Sequence, residues 1–358
     1  MQKTIEERLG KGLCDWTIRT IGIVDKNTFL VVADWDPKDN PKKKFELESG
    51  ENFWTMLLSI EIASKIIKGK VSLGGLGKTY CDGGFINGNK EALFSSYNGI
   101  TYHIDYTKDT FEHEGILKKT GVRDVKLIGN HFYIGASANK VYRRDGVHKW
   151  TLVSQEARAH WEKYGRGAVR AIDGFSEDDI YFVGEEGLTW HYNGKKWSIV
   201  DVPSNYPFTH VVCAEDGNVY IGGRQGQLLV GRDNEWKVII SSKKAYRYGV
   251  DMMHSMVYFK GTLYAGMRHD LMKLDNGKWV SANIGGIDSA EFLAAKDGVM
   301  LIGSNYRLDI YDGKEVKPLY RNGGYLDAMF LGNKLLEVGN ELLESGHGLL
   351  NELEKGKK

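Results

Sequence analysis

The chain has 358 residues, 42% hydrophobic and 27% charged, which is enough apolar material for a large folded core. Its 48 basic and 47 acidic residues leave a net charge of +1, so no bulk field draws it to nucleic acid or to an anionic membrane. No apolar run reaches the roughly 18 residues of a membrane span. The three cysteines, Cys14, Cys81 and Cys213, lie far apart with no CxxC pair, which suits a reducing compartment.

Residues 1–12 carry Glu6, Glu7 and Arg8 where a secretory leader is apolar, and read as an N-terminal extension of a cytoplasmic protein. LCDWTIRT (13–20) resembles the later segment WTLVSQ (150–155) and reads as a strand added to the far end of the chain. TFLVVADWD (28–36) and FELESGENFW (45–54) form a weak repeat unit: strand, long insertion, then strand, turn and aromatic. Residues 59–80 break the period and read as an insertion. Six clear copies follow, beginning at 93, 132, 180, 219, 263 and 300. Each is an apolar strand ending in a small residue, then a second strand, a turn and an aromatic, as in LYAGMRHDLMKLDNGKW (263–279). Leu271, Lys273 and Asp275 alternate with Met272 and Leu274, the period of a strand. Asp145-Gly146, Asn193-Gly194, Asn276-Gly277 and Asp312-Gly313 supply the residues tight hairpins need. Between copies, 156–166 reads as a long inter-blade loop or a short helix. At the end, 328–350 aligns with 125–146 as a second weak copy. Its leucine pairs, recurring every seven residues, also fit an amphipathic helix, and 355–358 is a tail.

The small residues closing the second strand are Ser95, Gly135, Gly184, Gly222, Gly266 and Gly303. Trp150, Trp197, Trp236 and Trp279 recur at intervals of 47, 39 and 43. A unit of this length cannot bury its own core and must stack on its neighbours. The period is that of one four-stranded blade, so the sequence predicts an all-β chain forming a single β-propeller over 13–354. Eight repeat-like segments predict seven or eight blades, seven if the terminal segments share one. The pattern apolar-Gly…Tyr-Asn/Asp-Gly-x-x-Trp resembles bacterial propeller repeats. Ile221-Gly222-Gly223…Trp236 looks like a single kelch repeat. Glu185–Trp190 is similar to the Asp-box of sialidase-like propellers, with Val183 in place of its Ser and Glu185 in place of its Asp. The Gly-His…Trp-Asp pattern of WD40 repeats is absent.

The catalytic motifs lack their context. Ser72–Thr79 ends in Gly-Lys-Thr like a phosphate-binding loop, but Ser72 replaces its first glycine and TYCDGGFINGN follows where a helix is required. It reads as a glycine-rich turn. Asp34, Asp36 and Asp39 lack the remaining ligands of a calcium loop. His269-Asp270 and His103/Asp105 are the close His/acid pairs, and no spacing predicts a metal site. Glu185 and Glu186 point to opposite faces if the strand continues through them, so they do not form a glycosidase pair. No G-x-S-x-G nucleophile elbow occurs. The sequence implies no cofactor.

What remains is a face. Loops after second strands and connections between blades open on one side, and arginines and aromatics concentrate there. The second-strand loops supply Trp35, Tyr97, Arg224, Arg268, His269, Tyr306 and Arg307. The connections supply His160, Trp161, Tyr164, Arg166, Tyr206, Tyr246, Arg247, Tyr248 and Tyr325. Such residues supply interface hot spots. The chain therefore reads as a monomeric, non-catalytic binding protein that takes a protein partner and no nucleic acid or membrane. Propellers of this kind also occur as antitoxin-like immunity proteins, which makes a toxin the implied partner. The alternative is a carbohydrate-active enzyme or lectin using the same face, with Glu185, Asp270 or Asp36 as acid or base.

Overall fold

A computed structural model describes residues 16–35, 54–64, 66–72, 76–117, 120–165, 167–223, 225–241, 252–267, 269–287, 289–305 and 307–321. They form seven four-stranded sheets, each made of four consecutive strands in chain order. Blade 1 contains β1 (Trp16–Asp25), β2 (Thr28–Trp35), β3 (Trp54–Glu61) and β4 (Ile66–Ser72). Blades 2 to 7 follow as β5–β8 (79–116), β9–β12 (122–152), β13–β16 (169–199), β17–β20 (208–240), β21–β24 (253–281) and β25–β28 (292–321). The first strand of each blade packs against the first strands of both neighbours, with β25 returning to β1, so the seven sheets close a ring. The chain is a seven-bladed β-propeller.

The core is divided among the blade interfaces. Seven hydrophobic clusters occupy the seven junctions between adjacent blades. Second strands are covered on both sides, and the buried runs 132–136, 180–184, 219–223 and 263–267 are apolar apart from their glycines for that reason. Among the described residues the ring closes by packing, without strand exchange: Ile18 and Ile21 of β1 share a cluster with Leu301, Leu308 and Leu319 of blade 7. The Ile18 amide donates to the Asn305 carbonyl at 2.9 Å.

Several sequence expectations change. Residues 16–20 belong to β1, the innermost strand of blade 1, paired with β2 through Trp16↔Trp35 and Thr17↔Asp34. They are not an outer strand donated to the last blade. Residues 59–80 are not an insertion: they hold the end of β3, β4 and the start of β5. Blade 1 escaped the period because its long break falls earlier, between β2 and β3. Of the two readings of 156–166, a long inter-blade loop or a short helix, the structure has the second: most of it is the helix α1 (Gln155–Tyr164). Gly165, at φ 65°, ends it by donating to the Trp161 carbonyl. Ser154 anchors α1 to blade 3, its hydroxyl donating to the Asn139 carbonyl at 2.9 Å and accepting from the Val141 amide at 2.7 Å. The extension 1–12 and the terminal segments 328–350 and 355–358 lie outside the described residues.

The turns confirm the two-faced design. On one side, hairpins such as Asn276-Gly277 reverse the chain in two residues, both with positive φ (47° and 73°). On the other side lie the loops between second and third strands and the longer connections between blades.

Candidate functional site

An axial funnel of about 730 Å³ opens on the long-loop side. The starts of successive first strands build its wall: Tyr80 on β5 (Thr79–Ile86), Arg123 on β9 (Val122–Ile128), Arg170 on β13 (Val169–Ser176), His210 on β17 (Phe208–Cys213) and His254 on β21 (Met253–Phe259). Lys78, just ahead of β5, places its amine 5.2 Å from the Tyr80 ring centre. Arg123 lies 5.0 Å from the centre of the Tyr97 ring, within cation–π range. Arg170 is ion-paired with Glu185.

Glu185 and Glu186 both line this funnel. The strand expected to separate them ends at Gly184, and Glu185–Gly187 is a 3-10 turn with Glu186 at φ 57°. The opposite-face argument therefore fails where its premise fails. His210 is held at both nitrogens: Nε2 donates to the His254 carbonyl at 3.0 Å, leaving Nδ1 to accept from the Thr209 hydroxyl at 2.8 Å. Burial lowers its pKa to about 4, so it is neutral at physiological pH.

Below the funnel, three aspartates interlock the first strands. Asp82 Oδ2 accepts from the Leu127 amide at 2.8 Å, Asp124 Oδ2 from Ile172 at 2.9 Å, and Asp173 Oδ2 from Cys213 at 3.0 Å. In each case Oδ1 accepts from the following residue's own amide. Each carboxylate thus satisfies a backbone donor on the next blade. Lys126 reaches Asp173 and Lys296 reaches Asp82, both at 3.4 Å. Burial pushes the Asp124 pKa up to about 7, against the pull of the Ile172 and Val125 amides and of Lys126. A raised folded-state pKa means a stability contribution present below the ordinary value of 3.8 and lost as pH rises through 7. Each pH unit in that window carries up to roughly 1.4 kcal/mol. Wild type is therefore expected to lose stability relative to Asp124→Asn between pH 4 and 7, read from urea midpoints. Parallel curves for the two proteins contradict this.

The expected site residues divide into groups. Tyr206, 51% exposed, lines the funnel, and Tyr97 stacks on a funnel arginine. His160, Trp161 and Tyr164 sit together on α1 outside the funnel lining. There His160 packs on Tyr164 and Trp190, at 4.7 and 5.6 Å between ring centres, and Arg158 lies over Trp161. His269 is exposed in the β22–β23 loop. Arg307 is tied to its own blade through Asp309 and to the connection leading into it through the Gly286 carbonyl, each at 2.8 Å. Arg166, Arg224, Tyr246, Arg247, Tyr248, Arg268, Tyr306 and Tyr325, with the side chain of Trp35, lie outside the described residues.

The other candidates resolve into structural contacts. His103 bonds Glu91 at 2.7 Å, whereas Asp105 caps the turn at Thr107 and Lys108. Asp270 accepts from the Ser281 hydroxyl, and Asp34 is shared by Arg19 and Thr55. The Gly-Lys-Thr stretch leads from Gly77 directly into strand β5, with no helix to receive phosphate. Among the described residues no three His, Cys, Asp or Glu side chains group closely enough to hold a metal ion, and no helix is long and apolar enough to cross a membrane.

Sequence reasoning missed Arg123, Arg170, His210 and the aspartate ladder. A signal existed. Asp82, Asp124 and Asp173 stand five, five and four residues upstream of the turn residue that follows the first strand (Asn87, Gly129 and Glu177). The repeat was aligned on second and third strands, so this register went unread.

No family model matches the chain. It is 30% identical over 197 residues, 54% of its length, to "Immune protein Tsi7" of Pseudomonas aeruginosa, and spans 62% of that protein. Among solved structures it is similar to YCF48 bound to D1 peptide, with a TM-score of 0.57 and 12% identity over 83% of this chain and 93% of that one. It is also similar to the extracellular domain of a hybrid two component system from B. thetaiotaomicron, with a TM-score of 0.56 and 17% identity over 84% of this chain and 38% of that one. Identities this low speak to the fold alone. The chain is a seven-bladed β-propeller that shares sequence, over just over half its length, with an immune protein.

Proposed function

We propose that this chain is a non-catalytic immunity protein that holds a protein toxin on its long-loop face. The identity with the immune protein of P. aeruginosa carries the reading. The surface supports it: the long-loop side offers an axial funnel with exposed Tyr206 at its rim and Tyr97 beside it, and α1 adds exposed Tyr164. Large rigid aromatics flanking a polar depression are the usual anchors of a protein interface. The short-turn side offers mainly tight hairpins.

The test is co-expression with a toxin domain encoded by a neighbouring gene. Growth arrest by the toxin is expected to be lifted, and the two proteins to elute as one complex. Tyr206→Ala combined with Tyr97→Ala is expected to weaken that complex at least about tenfold, the scale of losing interface anchors. Persistent growth arrest with separate elution counts against the reading.

The carbohydrate reading has one observation in its favour, the presence of Glu185 and Glu186 in one funnel. Arg170 occupies Glu185, and an arginine-paired carboxylate is poorly suited to deliver a proton. A glycan array separates the two readings: binding of any sugar in the funnel, abolished by Glu186→Gln, favours the second.

A further inference from the structure

Arg123 is a funnel cation whose Nε is unused among the described residues. Its guanidinium carbon lies 5.0 Å from the Tyr97 ring centre, within cation–π range. The N–H donors lie in the guanidinium plane, at its edge. Arg123 Nε is buried and has no hydrogen-bond partner among the described residues. On the next blade the equivalent position is filled differently, since Arg170 meets the carboxylate of Glu185. Among the described residues Arg123 meets no carboxylate.

The surroundings define the acceptor. Lys78, Arg123 and Arg170 stand at the starts of the first strands of three consecutive blades and form one arc of the funnel wall. Among the described residues the carboxylates lining the funnel, Glu185 and Glu186, both belong to the single turn after β14 (Asp179–Gly184). His210 adds no charge, because it is neutral and held at both nitrogens. A funnel of about 730 Å³ admits several side chains of a partner. The planar fork of an arginine matches a carboxylate through two parallel hydrogen bonds.

We propose that the arc of Lys78, Arg123 and Arg170 receives an acidic segment of the protein partner, with a carboxylate side chain anchored on Arg123. This rests on the reading of the long-loop face as a protein-binding face. It adds the chemistry of the element inserted there.

The test uses the chain alone, titrated calorimetrically at low salt with an acetylated, amidated hexaglutamate peptide. Hexaglutamate is expected to bind, with affinity falling as salt is added. Arg123→Gln is expected to weaken binding at least about fivefold, as loss of a charge-assisted contact implies. Arg123→Lys keeps the charge without the fork and is expected to fall between the two. Lys195→Gln, in the β15–β16 turn on the opposite face, is expected to change nothing. Melting curves of each variant check the fold. Equal affinity for wild type and both folded Arg123 variants overturns the proposal. So does inorganic phosphate binding as tightly as the peptide and displacing it, which assigns the arc to a small anion. The titration needs no toxin, so its failure leaves the immunity reading standing, and failure to find a toxin complex leaves the titration interpretable.

Discussion

Trp279→Ala is expected to lower the unfolding free energy by about 3–5 kcal/mol, the range for truncating a fully enclosed aromatic. Trp279 lies on the outer strand β24 (Lys278–Ser281), is 2% exposed, and packs into the cluster between blades 5 and 6. Its Nε1 donates to the Gly226 carbonyl of blade 5 at 2.8 Å, so one side chain fills a junction and satisfies a buried acceptor across it. Trp197 repeats the device two junctions earlier, between blades 3 and 4, donating to the Val153 carbonyl at 2.9 Å. Trp279→Phe keeps most of the volume and loses the hydrogen bond, and is expected to cost only about 1–3 kcal/mol. Trp236 occupies the same repeat position but is half-buried and donates to its own turn, at Asp233. Its alanine variant is expected to be the mildest of the three. Urea denaturation orders them, and a Trp279→Ala midpoint equal to that of Trp236→Ala contradicts the assignment.

Gly266→Ala is expected to be the most damaging of the small substitutions, at about 1–3 kcal/mol for overpacking against backbone. A Cβ at Gly266 falls 2.2 Å from the Ala290 carbonyl oxygen and 2.4 Å from Ser255 Oγ. Ala290 cannot retreat freely, because its amide donates to the Met267 carbonyl at 3.0 Å and stitches blade 6 to the connection leading into blade 7. Gly184 has the same problem with the Ala168 carbonyl, at 2.3 Å. Gly303 differs: its nearest neighbour would be Ile21 Cδ1 at 3.3 Å, the end of a side chain. Gly303→Ala is expected to be nearly neutral, the tight contact being offset by the reduced freedom of the unfolded chain. Thermal melts of the two variants should separate clearly. Coincident melts contradict the view that these glycines mark the closest approach between neighbouring segments.

That view explains why the fold was legible. The glycines and tryptophans that make the repeat visible are the residues set by blade stacking, which recurs at every junction and leaves the same imprint each time. Where local geometry departs from the repeat, reading by pattern fails. Asp145-Gly146 has the residues of a hairpin turn, yet the strand runs through Gly146, paired with Lys149, and the chain reverses at Val147-His148. Residues 59–80 were lost because blade 1 carries its long break before β3. The site was less legible than the fold. Tyr206 and Tyr97 were reachable, because loops on one face are obvious once blades are counted. Arg123 and Arg170 were not, because they belong to first strands, whose inner ends approach the ring axis only after closure. The sequence shows those arginines within strands and says nothing of the funnel that seven such strands produce together.

The central claim is that the long-loop face engages a protein. Hydrogen–deuterium exchange of the chain with and without the toxin proposed as its partner tests it most directly. Protection is expected in the loops at 97–99, 120–121, 185–188 and 200–207, with the hairpins at 147–148, 193–196 and 276–277 exchanging as in the free protein. Protection confined to those hairpins, with the funnel loops unchanged, would contradict it.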